Sequence, residues 1–320
     1  MSDETYMQRC LQLAALGLGK TSPNPMVGAV IVHHGTIIGE GYHHQCGQAH
    51  AEINAINSVK DKTLLKESTL YVNLEPCSHF GKTPPCADAI IRHGIPKVVI
   101  GSIDYHDKVN GAGVRKLREA NIEVTENVCR EACEELNKRF FTFHRQHRPY
   151  IILKWAKTRN GFMDIERGSG NACPYWITNP ALKVLSHKWR SEEDAIVVGY
   201  RTMQNDQPLL TTREYPGKSP RRFVMQRGTE VDSPLPCQAL PDDAHEAVDT
   251  LYHLNIQSVI IEGGKQTLEK YLKTSLWDEA RILIGNQIWE KGLPAPEVTG
   301  IIEKTVNIDD NQLIYVRRYL

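Results

Sequence analysis

His50, Glu52, Cys77 and Cys86 are the residues of this chain whose types and spacing could do chemistry. An imidazole and two thiols are ligands of the kind zinc takes in tetrahedral sites, and three protein ligands leave a fourth position for water. Zinc lowers the pKa of such a water to about 7, which makes hydroxide available at neutral pH. Glu52 follows the first ligand by two residues, placed to shuttle a proton rather than to bind metal. A single cysteine is ordinarily a small buried apolar residue. Three ligands and an acid in one constellation are a far more specific signal.

His-x-Glu followed by Pro-Cys-x-x-Cys is a zinc deaminase pattern. Here the second half is stretched to Pro76-Cys77-Ser78-His79-Phe80-Gly81-Lys82-Thr83-Pro84-Pro85-Cys86. Gly81, Pro84 and Pro85 shape a loop, while Ser78, His79, Lys82 and Thr83 offer hydrogen-bond donors. So many donors suit an anionic, phosphorylated substrate better than a small neutral base. Asn24, between two prolines, could present its amide to a ring from the loop before the first strand; a plain turn residue would look the same.

Four strings together resemble the bifunctional riboflavin-biosynthesis deaminase/reductases. They are Pro23-Asn24-Pro25-x-Val27-Gly28, Gly39-x-Gly41-Tyr42-His43, His50-Ala51-Glu52, and Glu75 through Cys86. The resemblance covers nearly all of the chain and is densest in the cysteine loop. It implies an α/β protein with a cytidine-deaminase-like zinc domain over residues 1–146, followed by a dihydrofolate-reductase-like α/β domain over 149–320. It implies one Zn2+ per chain on His50, Cys77 and Cys86, with Glu52 as the catalytic acid/base and Asn24, His79, Lys82 and Asp104 on the deaminase substrate. NADPH would be the hydride donor, met by Ala156, Trp176, Thr202, Asp206 and Gly264. Arg190, Leu210, Arg213 and Glu262 would meet the reductase substrate. The expected partners are small phosphorylated aminopyrimidines and, as a homo-oligomer, further copies of the chain.

The sequence departs from that family in several places. An Asp-Pro-Asn-Pro type string is Asp104-Tyr105-His106-Asp107, and a Ser-x-Asp-Gly string is Thr158-Arg159-Asn160-Gly161. Pro174 stands where a serine is expected, and Gln207 where a second acid is expected. These positions fall mostly in the second half.

The elements that must position these groups can be traced along the 320 residues, a length that suits two domains. Apolar spacing predicts a helix over Glu4–Leu18. Val27–Val32 and Thr36–Gly41 form a hairpin, and a helix begins at His50. A strand over Leu70–Leu74 runs into Glu75-Pro76-Cys77, and Cys86 opens the next helix. Lys97–Ile103 is a strand with Asp104 at its end, and Arg130–Phe143 reads as one helix carrying Cys133. The polar run Arg145–Pro149 is the expected linker, its basic residues solvated. A second α/β pattern follows, with strands at Tyr150–Ala156, Ala195–Gly199, Arg222–Gln226, Ser258–Ile261, Ala280–Gly285 and Leu313–Tyr319. Its helices cover Asn179–Arg190, Asp242–Leu254 and a stretch from Thr267. No Gly-x-Gly-x-x-Gly follows a strand, so a Rossmann fingerprint is absent. Glu262-Gly263-Gly264 does put two glycines between a strand and a helix, where backbone can approach a phosphate; a simple tight turn would use the same residues.

Composition narrows the alternatives. The chain has 38 Lys+Arg against 38 Asp+Glu, so neither nucleic acid nor a membrane is an expected partner. The Met1-Ser2-Asp3-Glu4 start has no secretory pattern, and no apolar run is long enough to span a bilayer. Eight cysteines in this length do not form a disulfide framework, which points to the cytoplasm. The rival readings are a single-activity deaminase of cytidine or a tRNA base with a non-catalytic second domain, and a structural zinc module. A structural site usually has four protein ligands, and only three are found here.

Overall fold

A computed structural model of the chain describes residues 1–78, 84–103, 111–165 and 175–319. The chain divides into two compact units, Met1–His147 and Arg148–Leu320. Both are α/β.

The first unit runs α1 (Asp3–Ala15), β1 (Gly28–His33), β2 (Thr36–Tyr42), α2 (Ala51–Ser58), a 3-10 turn (Lys62–Glu67), β3 (Ser68–Leu74), α3 (Cys86–His93), β4 (Lys97–Ser102), α4 (Ala112–Glu119), β5 (Glu123–Thr125), α5 (Arg130–Leu136) and α6 (Lys138–Gln146). Its sheet has the order β2-β1-β3-β4-β5. β1 is antiparallel to β2 and β3, whereas β3, β4 and β5 are parallel. Both faces are covered, which is why the strands read as unbroken apolar runs rather than alternating ones. Along β1, Ala29 and Ile31 join one core with α2 and α3, while Val30 and Val32 join a second core with Tyr6, Met7 and Cys133.

The second unit runs β6 (Tyr150–Lys157), β7 (Phe162–Asp164), α7 (Pro180–Glu192), β8 (Ala195–Gly199), α8 (Tyr200–Asp206), β9 (Arg221–Met225), β10 (Gln238–Leu240), α9 (Ala244–His253), β11 (Ser258–Ile261), α10 (Lys265–Leu272), β12 (Glu279–Ile284), β13 (Leu293–Pro294), β14 (Ile301–Ile308) and β15 (Asn311–Arg317). Its main sheet has the order β10-β9-β8-β11-β6-β12-β15-β14. β10 through β12 are mutually parallel in that order, and β15 and β14 add antiparallel strands at one end. β7 and β13 form a small separate ribbon. Order reverses about β8, β11 and β6, which is where α/β sheets open a crevice at their strand ends.

The structure corrects several sequence expectations. Arg130–Phe143 is not one helix. It breaks at buried Asn137, whose side chain accepts from Met26 N at 2.8 Å and donates to Met26 O at 2.9 Å. Cys129 is the left-handed N-cap of α5. The basic run before Pro149 is not a solvated linker throughout. Arg145 closes α6, and Arg148 is buried, with Nη1 and Nη2 each 2.6 Å from the Asp278 carboxylate. The α10 helix starts at Lys265, two residues before Thr267. β14 escaped detection because most of its residues are exposed and Glu303, Lys304 and Asn307 interrupt any alternation, as on a guarded sheet edge.

Candidate active sites

In the first unit, His50 is the N-cap of α2, Cys77 follows the end of β3, and Cys86 is the first residue of α3. His50 Nδ1 is 3.5 Å from Cys77 Sγ and 3.4 Å from Cys86 Sγ, and Cys86 N donates to Cys77 Sγ at 3.3 Å. A tetrahedron with arms of about 2.0–2.3 Å has edges of roughly 3.5 Å, which both imidazole–sulfur distances match, so this donor set suits zinc. The crowding is visible in the proton equilibria. The Cys86 thiol beside Cys77 holds Cys77 toward its thiolate, and contact with that sulfur, then burial, pushes Cys86 up. His50 is raised by its contact with Cys77. Groups that compete for one proton in this way are groups a cation would satisfy together.

Glu52, in the first turn of α2, is buried. Burial, helped by the Cys77 charge, raises its carboxyl to about 7. A carboxyl poised there can both take and give a proton near neutral pH. α2 must lie close to β2 to hold it, and Gly39 and Gly41 make that possible. A Cβ on Gly41 would come within 2.4 Å of Ala55 N and 2.7 Å of Ala51 O. This close approach is the physical content of the Gly39-x-Gly41 string.

Asn24 and His43 form a linked pair that the sequence did not reveal. His43 Nδ1 lies 3.1 Å from Ala49 O, which can only accept, so Nδ1 carries the proton. Nε2 then accepts from Asn24 Nδ2 at 3.1 Å. Burial lowers the pKa of His43, consistent with a neutral ring. His43 is therefore neither solvated nor a ligand here. Its ring meets the His50 ring edge-on at 5.3 Å. Glu75 is a second hidden support. Its carboxylate accepts from Gly111 N, Gly113 N and Val114 N at 3.1, 2.8 and 3.2 Å, capping α4 directly before Pro76-Cys77. His79, Lys82 and Asp104 lie outside the described residues.

In the second unit, a cavity of about 920 Å³ opens at the ends of β8, β9 and β11. Thr202, Asp206 and Gly264 line it, as do Arg201 and Arg227. Thr202 Oγ1 accepts from Gly264 N at 3.2 Å. Gly264 has φ −66 and so needs no left-handed backbone, and a Cβ there would meet only Thr202 Oγ1 at 3.5 Å. The crowded glycine is Gly263, whose Cβ would come within 2.5 Å of Thr267 Cβ. Ala156 and Trp176 are not among the cavity's lining residues. Ala156 is on β6, and Trp176 is exposed with Lys183 Nζ 4.7 Å over its ring.

Arg190 and Glu262 are brought together as a pair rather than as separate contacts. Arg190 Nε and Nη2 reach the Glu262 carboxylate at 3.1 and 2.8 Å, and Arg190 Nη1 donates to Thr211 O at 3.2 Å. Lys154 Nζ lies 3.5 Å from Glu262 and completes a largely buried triad from β6, α7 and the residue that follows β11. Burial works against the Glu262 charge, but Arg190 and Lys154 outweigh it and hold the carboxyl at about 2. Burial lowers Lys154. Leu210, buried with φ +54, is held in that left-handed conformation by packing on Ile196, Val198 and Met203, and so aims the following Thr211 carbonyl. Arg213 is exposed, and after burial the charges of Arg190 and Arg213 depress His187, which sits at about 4. The departures at Asn160 and Gln207 are accommodated locally. Asn160 Nδ2 donates to Trp289 O at 2.6 Å, and Gln207 is the left-handed C-cap of α8. Pro174 lies outside the described residues.

Residues 1–102 match the cytidine and deoxycytidylate deaminase zinc-binding region, and residues 149–288 match the RibD C-terminal domain. The riboflavin biosynthesis protein RibD of Aquifex aeolicus is 37% identical, with 99% of each chain covered. The chain belongs to the RibD family. RibD of Escherichia coli is 33% identical over 97% of this chain and 90% of its own length. A Thermotoga maritima structure described as a diaminohydroxyphosphoribosylaminopyrimidine deaminase/5-amino-6-(5-phosphoribosylamino)uracil reductase superposes with a TM-score of 0.87 at 34% identity, covering 99% of both chains. An Acinetobacter baumannii RibD structure gives 0.89 at 27% identity, again over 99% of both. The fold is thus that of the family throughout: a cytidine-deaminase-like unit followed by a RibD reductase unit. No helix among the described residues is long and apolar enough to cross a membrane.

Proposed function

We propose that this chain is a bifunctional enzyme of riboflavin biosynthesis. The first unit would deaminate a diaminopyrimidinone ribosylamino phosphate, and the second would reduce the ribosyl group of the product to ribityl with NADPH. The observation that carries the reading is the His50, Cys77 and Cys86 donor set with buried Glu52 beside it, in a chain that matches RibD along nearly its whole length. A deaminase of cytidine or a tRNA base, with an idle second unit, leaves the match over residues 149–288 without a purpose.

Zinc, when bound, supplies the Lewis acidity that makes water nucleophilic near neutral pH. Glu52 takes a proton from the attacking water and gives it to the ring nitrogen, then takes a second from the resulting hydroxyl and gives it to the departing amine. His43 fixes the orientation of Asn24, which hydrogen-bonds the pyrimidine. His79, Lys82 and Asp104 are proposed substrate contacts on their motif positions alone, with Lys82 directed to the phosphate.

NADPH, when bound, supplies the hydride. Thr202, Asp206 and Gly264 would hold it in the strand-end cavity, with Ala156 and Trp176 completing its contacts. Hydride addition at the ribosyl C1' keeps its bond to nitrogen and breaks its bond to the ring oxygen, which needs a proton. Lys154, a buried ammonium with a lowered pKa, is suited to deliver it. Arg190 and Lys154 together exceed the charge of Glu262 by one, which favours an anionic substrate nearby. Leu210 and Arg213 would border that substrate.

The pure protein incubated with the diaminopyrimidinone ribosyl phosphate should release ammonia without NADPH, and should oxidise NADPH only once deaminated product is present. Absence of ammonia would overturn the first half. Unchanged NADPH absorbance with the deaminated intermediate supplied directly would overturn the second. Sedimentation checks the further expectation of a homo-oligomer.

A further inference from the structure

We infer that the first unit carries a second transition-metal site, built by His33, His34 and Glu67 at the tip of the β1–β2 hairpin. The imidazole nitrogens and a carboxylate oxygen of these residues lie within 4.8 Å of one another. They are distinct from the residues assigned to deamination.

Strand register brings the three together. His33 pairs with Ser68 on β3, so Glu67, the residue before Ser68, falls beside the hairpin tip. Consecutive residues of a strand would point to opposite faces. His34 escapes that alternation because the chain turns there, with φ +47. Its ring therefore lies against its neighbour's at an interplanar angle of 59°, with the His33 and His34 centroids 4.1 Å apart. The turn is held from outside by Tyr6 OH, which donates to Gly35 O at 2.8 Å. The start of β3 is held by Ser68 Oγ, which donates to Leu64 O at 2.7 Å.

The distances lie within ion-pair range and also suit ligands around a shared centre. Glu67 Oε2 is 3.7 Å from His33 Nε2 and also 3.7 Å from His34 Nε2. Both separations are too long for a hydrogen bond. Metal–ligand arms of about 2.0–2.2 Å place neighbouring donors roughly 3.3–3.6 Å apart, close to both carboxylate–imidazole separations. His33 Nε2 is moreover buried with no hydrogen-bond partner. Buried polar nitrogens are nearly always satisfied, and this one faces the other two donors. Two imidazoles and one carboxylate select zinc, nickel or copper(II) over magnesium or calcium. His34 and Glu67 are exposed on their side chains, at 75% and 71%, so an ion can enter and water can complete its shell.

Protein carrying one equivalent of zinc would be dialysed against Zn2+ and, separately, Ni2+, and total metal counted by atomic emission. The expected result is a second equivalent per chain in the wild type. It should fall at least roughly tenfold in affinity in His34→Asn, which tolerates the left-handed turn, and in Glu67→Gln. Both variants should keep the first zinc and their rate of ammonia release. Added Ni2+ should raise the melting temperature of the wild type alone, since the ion would staple the hairpin to β3. One equivalent in the wild type, or a second equivalent that survives both substitutions, overturns the site.

Discussion

The deaminase and reductase sites are built on opposite plans. In the first unit the candidate chemistry sits on side chains that are rare in combination, at a helix N-cap, a strand end and a helix start. In the second it sits on Lys154, Arg190 and Glu262, common residue types that the fold gathers from β6, α7 and the end of β11. The difference follows from the work each does. Holding a metal requires particular donor atoms in contact with the ion, which constrains residue identity directly. Positioning a cofactor and a charged sugar requires a field and a shape, which many residues can supply from a distance.

The sharpest way to break this comparison is at the metal. Cys77→Ser or Cys86→Ser should lose zinc and ammonia release together, by at least roughly a hundredfold, measured by metal content and ammonia assay on one preparation. Full zinc retention in both variants would falsify the ligand set. Glu52→Gln should keep zinc yet slow ammonia release by about 10²–10⁴-fold, because an amide cannot relay a proton. The same variant should oxidise NADPH normally when given the deaminated intermediate; a parallel loss would mean the two sites are not separable.

Glu262→Gln tests the second plan. Removing the shared carboxylate strands two buried cations and should cost about 3–5 kcal/mol of stability, read by chemical denaturation, along with reductase activity. The pH dependence has a definite sign. The folded pKa of Glu262, about 2, lies below the unfolded value near 4.3, so its contribution is complete above the unfolded value and disappears as pH falls toward the folded one. Wild-type stability should therefore decline more steeply than that of Glu262→Gln between roughly pH 4.5 and 2. Equal slopes would remove the triad from the account.

The smallest expected effects separate neighbouring residues. Gly263→Ala should destabilise the second unit by about 1–3 kcal/mol, since its Cβ has no room beside Thr267. Gly264→Ala should leave the melting temperature unchanged while raising the KM for NADPH. The reverse pattern would mean the phosphate approaches Gly263 instead. His43→Ala, with zinc retained, should lower kcat/KM for deamination about tenfold by freeing Asn24.

By itself the sequence determined the α/β class, the strands and helices that flank the candidate zinc ligands, and the family, because each is encoded locally. Ligand chemistry is written in residue identity, and Pro76-Cys77 through Cys86 lies on one short stretch of chain. Tertiary structure alone decided which ordinary residues act together. His43 gains its place by an amide from a loop, Glu75 by three backbone N–H groups beyond the next strand, and Lys154 by a carboxylate at the end of the adjacent strand. It also singled out Gly263 of the two glycines as the one without room for a Cβ and turned Arg148 from a solvated linker residue into a buried partner of Asp278. Those assignments depend on strand register and close packing between residues far apart in sequence. A local pattern carries no information about which distant group will face it once the sheet has formed.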